Sequence, residues 1–171
     1  MRHAVFAPSS IVLNAVGRRF TVRYTDLKGG GLELVQSTHS DIEVSGNVGN
    51  GKGCLALLRL WLQMQGRVYL IPWAEQISCQ TGLAFKAIQI RGQKTRWGSC
   101  SSKGTISLNY KLLFLQSHLV TYIIIHELCH TVHMNHSLNF RSFLATLEPE
   151  WKKLDAELKG ASRLVPRWVN R

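Results

Sequence analysis

One stretch of the chain restricts its possible folds more than any other. From Leu119 to Val132 there is almost no polar face, yet His126, Glu127 and His130 are set into it. Leu119, Val120, Tyr122, Ile123, Ile124, Ile125, Leu128 and Val132 surround a helix drawn through them. That predicts a buried central helix, ending near Asn135. Unpaired polar groups are costly to bury, so such a helix has no packing use for two histidines and a glutamate. His126-Glu127-Leu128-Cys129-His130 is an HExxH pattern. Residues four apart share one helix face, about 6 Å apart along the axis, so the two imidazoles can converge on a zinc ion. Glu127, at the edge of that face, reaches a metal-bound water without binding the metal itself. Cys129 points about 100° away from His130 and reads as small buried filler.

A hydrolytic zinc takes three protein ligands and keeps one position open. Three residues compete for the third place. His136 follows Asn135, where the chain can turn back, and its offset of six from His130 matches HExxHxxxxxH. Glu150 lies twenty residues after His130, a separation used when a second helix supplies the ligand. His133 shares the helix face but approaches from nearly the same side as the other two. The order of preference is His136, then Glu150, then His133.

The rest of the chain reads as α+β. Arg18 to Tyr24 alternates, with Phe20, Val22 and Tyr24 on one face, and Leu32 to Val35 is its expected partner across a loop from Asp26 to Gly31. Ser45 to Gly53, rich in Gly and Asn, separates this N-terminal part from the remainder of the chain. Helices are expected over Cys54 to Gln65, closed by Gly66, and over Val68 to Cys79, with Pro72 disturbing the second. Phe85 to Arg91 and Thr105 to Tyr110 alternate as strands, joined by a long hairpin connection from Arg96 to Gly104. One or two helices are expected from Leu138 to Lys159, then a loosely ordered basic tail with Arg163, Arg167 and Arg171. The expected organisation is a β-rich region over 1–50 and a metallohydrolase domain with a basic tail over 51–171.

Composition narrows the classes. Hydrophobic residues are 45% and charged residues 18%, too apolar for a disordered chain. No run of 18 apolar residues exists to span a membrane. Pro8, Ser9, Ser10 and Asn14 interrupt any signal-peptide core, so a cytoplasmic protein is expected. Cys54, Cys79, Cys100 and Cys129 form no CxxC pair. The net charge of +11 favours anionic partners such as nucleotides or nucleic acid.

The sequence resembles the YgjP-like metal-dependent hydrolases, relatives of the WLM and SprT-like zincin proteases. The resemblance runs from about Trp61 to Trp151. Its matching blocks are Thr95 to Gly104, Ile106-Ser107-Leu108-Asn109, His126 to His130 and Met134-Asn135-His136-Ser137. It implies a zincin-like fold, with a small antiparallel sheet packed on the buried HExxH helix and an N-terminal β subdomain. It also implies His126, His130 and His136 as ligands, Glu127 as base, and a strand at Thr105 to Asn109 flanking the cleft.

The functional expectation is a zinc-dependent hydrolase, peptidase-like, acting on a peptide or protein. The Ile106 to Leu108 strand would hold the substrate by strand addition. Two alternatives use the basic stretch from Lys86 to Lys111. One is phosphoanhydride hydrolysis in a nucleotide, with Arg96 and Lys103 on the phosphates. The other is nucleic-acid binding with Trp97 stacking on a base, against a plain core role for Trp97. Tyr110, His118 and Arg96 are equal candidates for the electrophile opposite Glu127.

Overall fold

The computed structural model describes residues 7–27 and 30–170. It begins with a four-stranded sheet of order β1-β2-β4-β3, made of β1 (Ser10–Leu13), β2 (Arg18–Asp26), β3 (Glu33–Gln36) and β4 (Asp41–Gly46). Alternation in β2 sends Phe20 and Val22 into the core and leaves Arg19, Thr21 and Arg23 outside. The expected neighbour of β2 was the strand near Leu32 to Val35. That strand is β3, but it pairs with β4 instead. Strand β4 lies between them, parallel to β2, with Val22 opposite Ile42 and Tyr24 opposite Val44. The reason is apolar content. Ile42 and Val44 are fully buried, whereas β3 offers only Leu34 half-buried and takes the edge. Lys28 and Gly29, inside the expected Asp26 to Gly31 loop, lie outside the described residues.

Helix α1 is a single element, Gly51–Thr81, 31 residues long, rather than two helices broken at Gly66. The Asn50 side chain caps its start by accepting from the Gly53 amide, and Gly82 ends it at φ 70°. Gly66 is a packing residue, not a stop: a Cβ there would lie 2.7 Å from Ile90 Cγ2 and 3.2 Å from Tyr110 Cβ. Pro72 is tolerated on the exposed side of the helix. The first half of α1 meets the N-terminal sheet. There Trp61 packs edge-on to Phe20 at 4.9 Å and its indole donates to Gln36 Oε1 at 3.0 Å.

The second half of α1 packs on a three-stranded sheet of order β5-β7-β6. Its strands are β5 (Ala87–Arg91), β6 (Gly98–Cys100) and β7 (Thr105–Asn109). The sheet is mixed, not antiparallel: β7 runs parallel to β5 and antiparallel to β6. The stretch expected to be one long connection, Arg96 to Gly104, contains β6, and only 101–104 turn, with Gly104 at φ 75°. Both faces of β7 are covered, with Ile106, Ser107, Leu108 and Asn109 all buried, which is why it is central.

A 3-10 turn at Tyr110–Phe114 leads to α2 (Ser117–Cys129), then to α3 (Leu138–Leu147) and α4 (Trp151–Leu158). Helix α2 stops at Cys129, short of the expected Asn135. The Thr131 amide and hydroxyl both donate to the Leu128 carbonyl, and the chain leaves the axis. The tail is packed rather than loose. Ala161, Val165 and Val169 are buried, and Arg59 Nη1 donates to the Trp168 carbonyl at 3.2 Å. Arg171 lies outside the described residues. Among those residues, no helix is long and apolar enough to cross a membrane.

Asn109, at the end of β7, anchors the segment that precedes β6. Its Nδ2 donates to the carbonyls of Gln93 and Arg96, each at 2.8 Å, and its Oδ1 accepts from the Lys111 amide. Replacing it removes three hydrogen bonds at once and leaves the Arg96 carbonyl without its side-chain donor. Asn109→Ala is expected to lower stability by about 2–4 kcal/mol, read as a reduced midpoint in urea unfolding. An unchanged midpoint would mean that the segment holds itself.

Candidate metal centre

Helix α2 is buried along most of its length, and its buried glutamate and the histidine that follows lie at its C-terminal end. Glu127 is 6% exposed and His130 is 7%. The early end of α2 redirects the chain. From Thr131 onward it folds back, and Ser137 caps α3 by accepting from the Phe140 amide. His136, just before that cap, is thereby returned to the histidines of α2.

His126, His130 and His136 bring one ring nitrogen each to within 4.8 Å of one another. The His126 and His136 Nε2 atoms are 3.0 Å apart. A tetrahedral zinc with nitrogens at about 2.0–2.1 Å would set those nitrogens ~3.3 Å apart, so the donor set fits such an ion closely. His130 Nδ1 donates to the His133 carbonyl at 2.9 Å. That bond fixes the tautomer and leaves Nε2 free to ligate, as metal-binding imidazoles usually require. Burial, with repulsion from His130 and His136, lowers the His126 pKa to about 4. Burial also lowers that of His130, with His136 adding to the effect. Both rings therefore favour the neutral form that binds metal.

Phe140 forms the floor of this cluster. It stacks on His130 at 4.4 Å and meets His126 and His136 edge-on at 5.1 and 4.9 Å. Sequence reasoning misses it. The only available signal is Ser137, whose capping of the next helix puts Phe140 in its first turn.

The other two candidates for a third ligand point elsewhere. His133 has left the helix; it contributes its carbonyl to His130 while its ring sits 5.5 Å from Phe143. Glu150 caps α4 and pairs with Lys153 at 3.1 Å, because α4 begins at Trp151 and turns the carboxylate to solvent.

Glu127 faces β6. A Cβ on Gly98 would lie 2.7 Å from Glu127 Oε1, so a glycine is needed for that carboxylate to fit. Burial pushes the Glu127 carboxyl up to about 8, while Arg96 pulls it down. Of the three residues considered as electrophiles, Arg96 acts on the charge of Glu127. Tyr110 is packed against Gly66 and Gly92, and His118 binds Glu157 at 2.9 Å. Trp97 is half-buried against the core. Lys103 sits in the exposed turn between β6 and β7. Strand β7 cannot accept a substrate strand, since β5 and β6 occupy both its edges. The strand that touches Glu127 and keeps an outer edge is β6.

The sequence profile of the YgjP-like, metallopeptidase domain matches residues 2–161. The chain belongs to that family. Membership makes it a metal-dependent hydrolase of the metallopeptidase type, in agreement with the cluster of histidines. Among solved structures, the chain is similar to the metallopeptidase zymogen jannalysin of Methanocaldococcus jannaschii. The two share 23% identity and a TM-score of 0.45 over 52% of this chain and 92% of that one. No curated protein matches the sequence.

The geometry predicts how metal content responds to mutation. Elemental analysis of the purified protein should find a single bound metal ion, lost in His126→Ala/His130→Ala and in His136→Ala. His133→Ala and Glu150→Ala should keep it. Loss in Glu150→Ala with retention in His136→Ala would reverse the ligand assignment.

Proposed function

We propose that this chain is a zinc-dependent peptidase, with His126, His130 and His136 as ligands and Glu127 as general base. The observation that carries the reading is the convergence of three imidazoles beside a buried glutamate. Zinc held there supplies Lewis acidity, making water more acidic and polarising a substrate carbonyl. Glu127 takes the proton from the attacking water as the new C–O bond forms. It then delivers that proton to the leaving nitrogen as the C–N bond breaks. Gly98 leaves the carboxylate room to make both transfers without changing place. The free edge of β6 supports binding of an extended peptide by strand addition, its main chain aligned past the glutamate.

Two variants separate the chemistry from the metal. Glu127→Gln should keep zinc and lose roughly 10²–10⁴-fold in peptide turnover. Gly98→Ala should also keep zinc, because it touches no ligand, yet lose on the order of 10²-fold, since it displaces the carboxylate. Full peptidase activity in Glu127→Gln, assayed on a mixed peptide library, would remove Glu127 from the mechanism.

A further inference from the structure

A cleft of about 300 Å³ is lined by the 94–97 segment and by Ser162, Val165 and Asn170 near the C-terminal end. Lys94, Arg96 and Lys111 line it together with Trp97 and Val165. Lys111 is the unusual member. It is 6% exposed, and its ammonium has one partner among the described residues, the Gln93 carbonyl at 3.1 Å. An ammonium has three N–H donors, so two are left over. Among the described residues, no carboxylate lies within ion-pair distance of Lys94, Arg96 or Lys111. A buried cation without a counter-charge is expensive. Burial pulls the Lys111 pKa below its ordinary value, and Lys94 adds repulsion.

The walls supply a second observation. The Gln93 carbonyl that holds Lys111 is shared with Asn109, so the lysine still lacks an anion. Trp97 and Val165 offer apolar surface beside the three cations. A bare phosphate leaves that surface uncovered, whereas the side chain next to a peptide carboxylate covers it.

We propose that the Lys94–Arg96–Lys111 cleft is a subsite for a carboxylate of the peptide substrate. The inference rests on the peptidase reading for the identity of the ligand. The cleft shares Arg96 with the surroundings of Glu127, so a peptide anchored there has its chain beside the candidate base. The carboxylate can be the C-terminus or an acidic side chain, and the same pocket chemistry serves both.

The test is direct binding to the full-length Glu127→Gln protein, measured by calorimetry. Three short N-acetylated peptides are compared: one with a free C-terminus, the same peptide amidated, and the amidated peptide with an internal glutamate. The free acid should bind at least about tenfold tighter than its amide. An amidated glutamate peptide that binds equally well identifies the side chain as the source and also supports the subsite. Lys111→Met should erase the preference. If that variant does not fold, Lys94→Met at the exposed rim should still weaken it severalfold.

No preference in the parent protein, or one that survives in folded Lys111→Met, would overturn the proposal. So would displacement of the free-acid peptide by a short oligonucleotide that binds more tightly, since the cleft would then read phosphate. Because the readout is binding, carboxylate preference in a protein that cuts no peptide sinks the hydrolysis reading and leaves the subsite intact.

Discussion

Burying polar groups in an apolar helix is a cost that the surroundings of α2 must offset. A buried carboxyl and a buried imidazole each lose several kcal/mol of hydration when left unpartnered. Around Glu127 and His130 the fold answers this residue by residue. His130 is tied to the His133 carbonyl, which is available because the helix has already ended. His136 is brought back by the turn and the Ser137 cap. Phe140 covers the three rings from below, and β6 approaches Glu127 so closely that its nearest residue has no side chain. Neighbouring elements end, turn or narrow where these groups need them to.

Sequence legibility tracks how local each feature is. The buried helix and its HExxH spacing are readable because helix period and ligand spacing are properties of a few consecutive residues. The tail of the site is only partly readable. Thr131 ends α2 with a side-chain bond that periodicity does not register, so His133 reads as a helical residue when it is not one. Gly66 reads as a helix stop, because a glycine that makes room for Ile90 looks identical, in sequence, to one that ends a helix. Strand β4 alternates at Ile42 and Val44 over too few residues to stand out, and the sheet order is lost with it. The contact of Gly98 with Glu127 joins residues 29 positions apart, and no local pattern announces it.

The two sheets share one core through α1, and distant parts of the chain are fastened across it. Asn14 donates to the Phe114 carbonyl at 2.9 Å, a hundred residues away, just before α2 begins. Arg59, in the first third of α1, reaches the carbonyl of Trp168. The position of α2 is thus set from both ends of the described chain. Its flanking 3-10 turn at Tyr110–Phe114 leans on the first strands, and α1 leans on the last residues.

The spacing of the three histidines has a kinetic consequence. His126, His130 and His136 lie within eleven consecutive residues, and the entropy of closing so short a loop is small. The surroundings of Glu127 instead require β6 to find α2 over a longer span, within a sheet whose β5–β7 pairing is parallel. Parallel, non-local pairings form slowly. In a nascent or refolding chain, the ligand triplet can therefore gather before the carboxylate is seated against Gly98. On the proposed reading of the site, the triplet would be able to take up metal before Glu127 is in place to use it, and the incomplete protein would remain harmless to its neighbours.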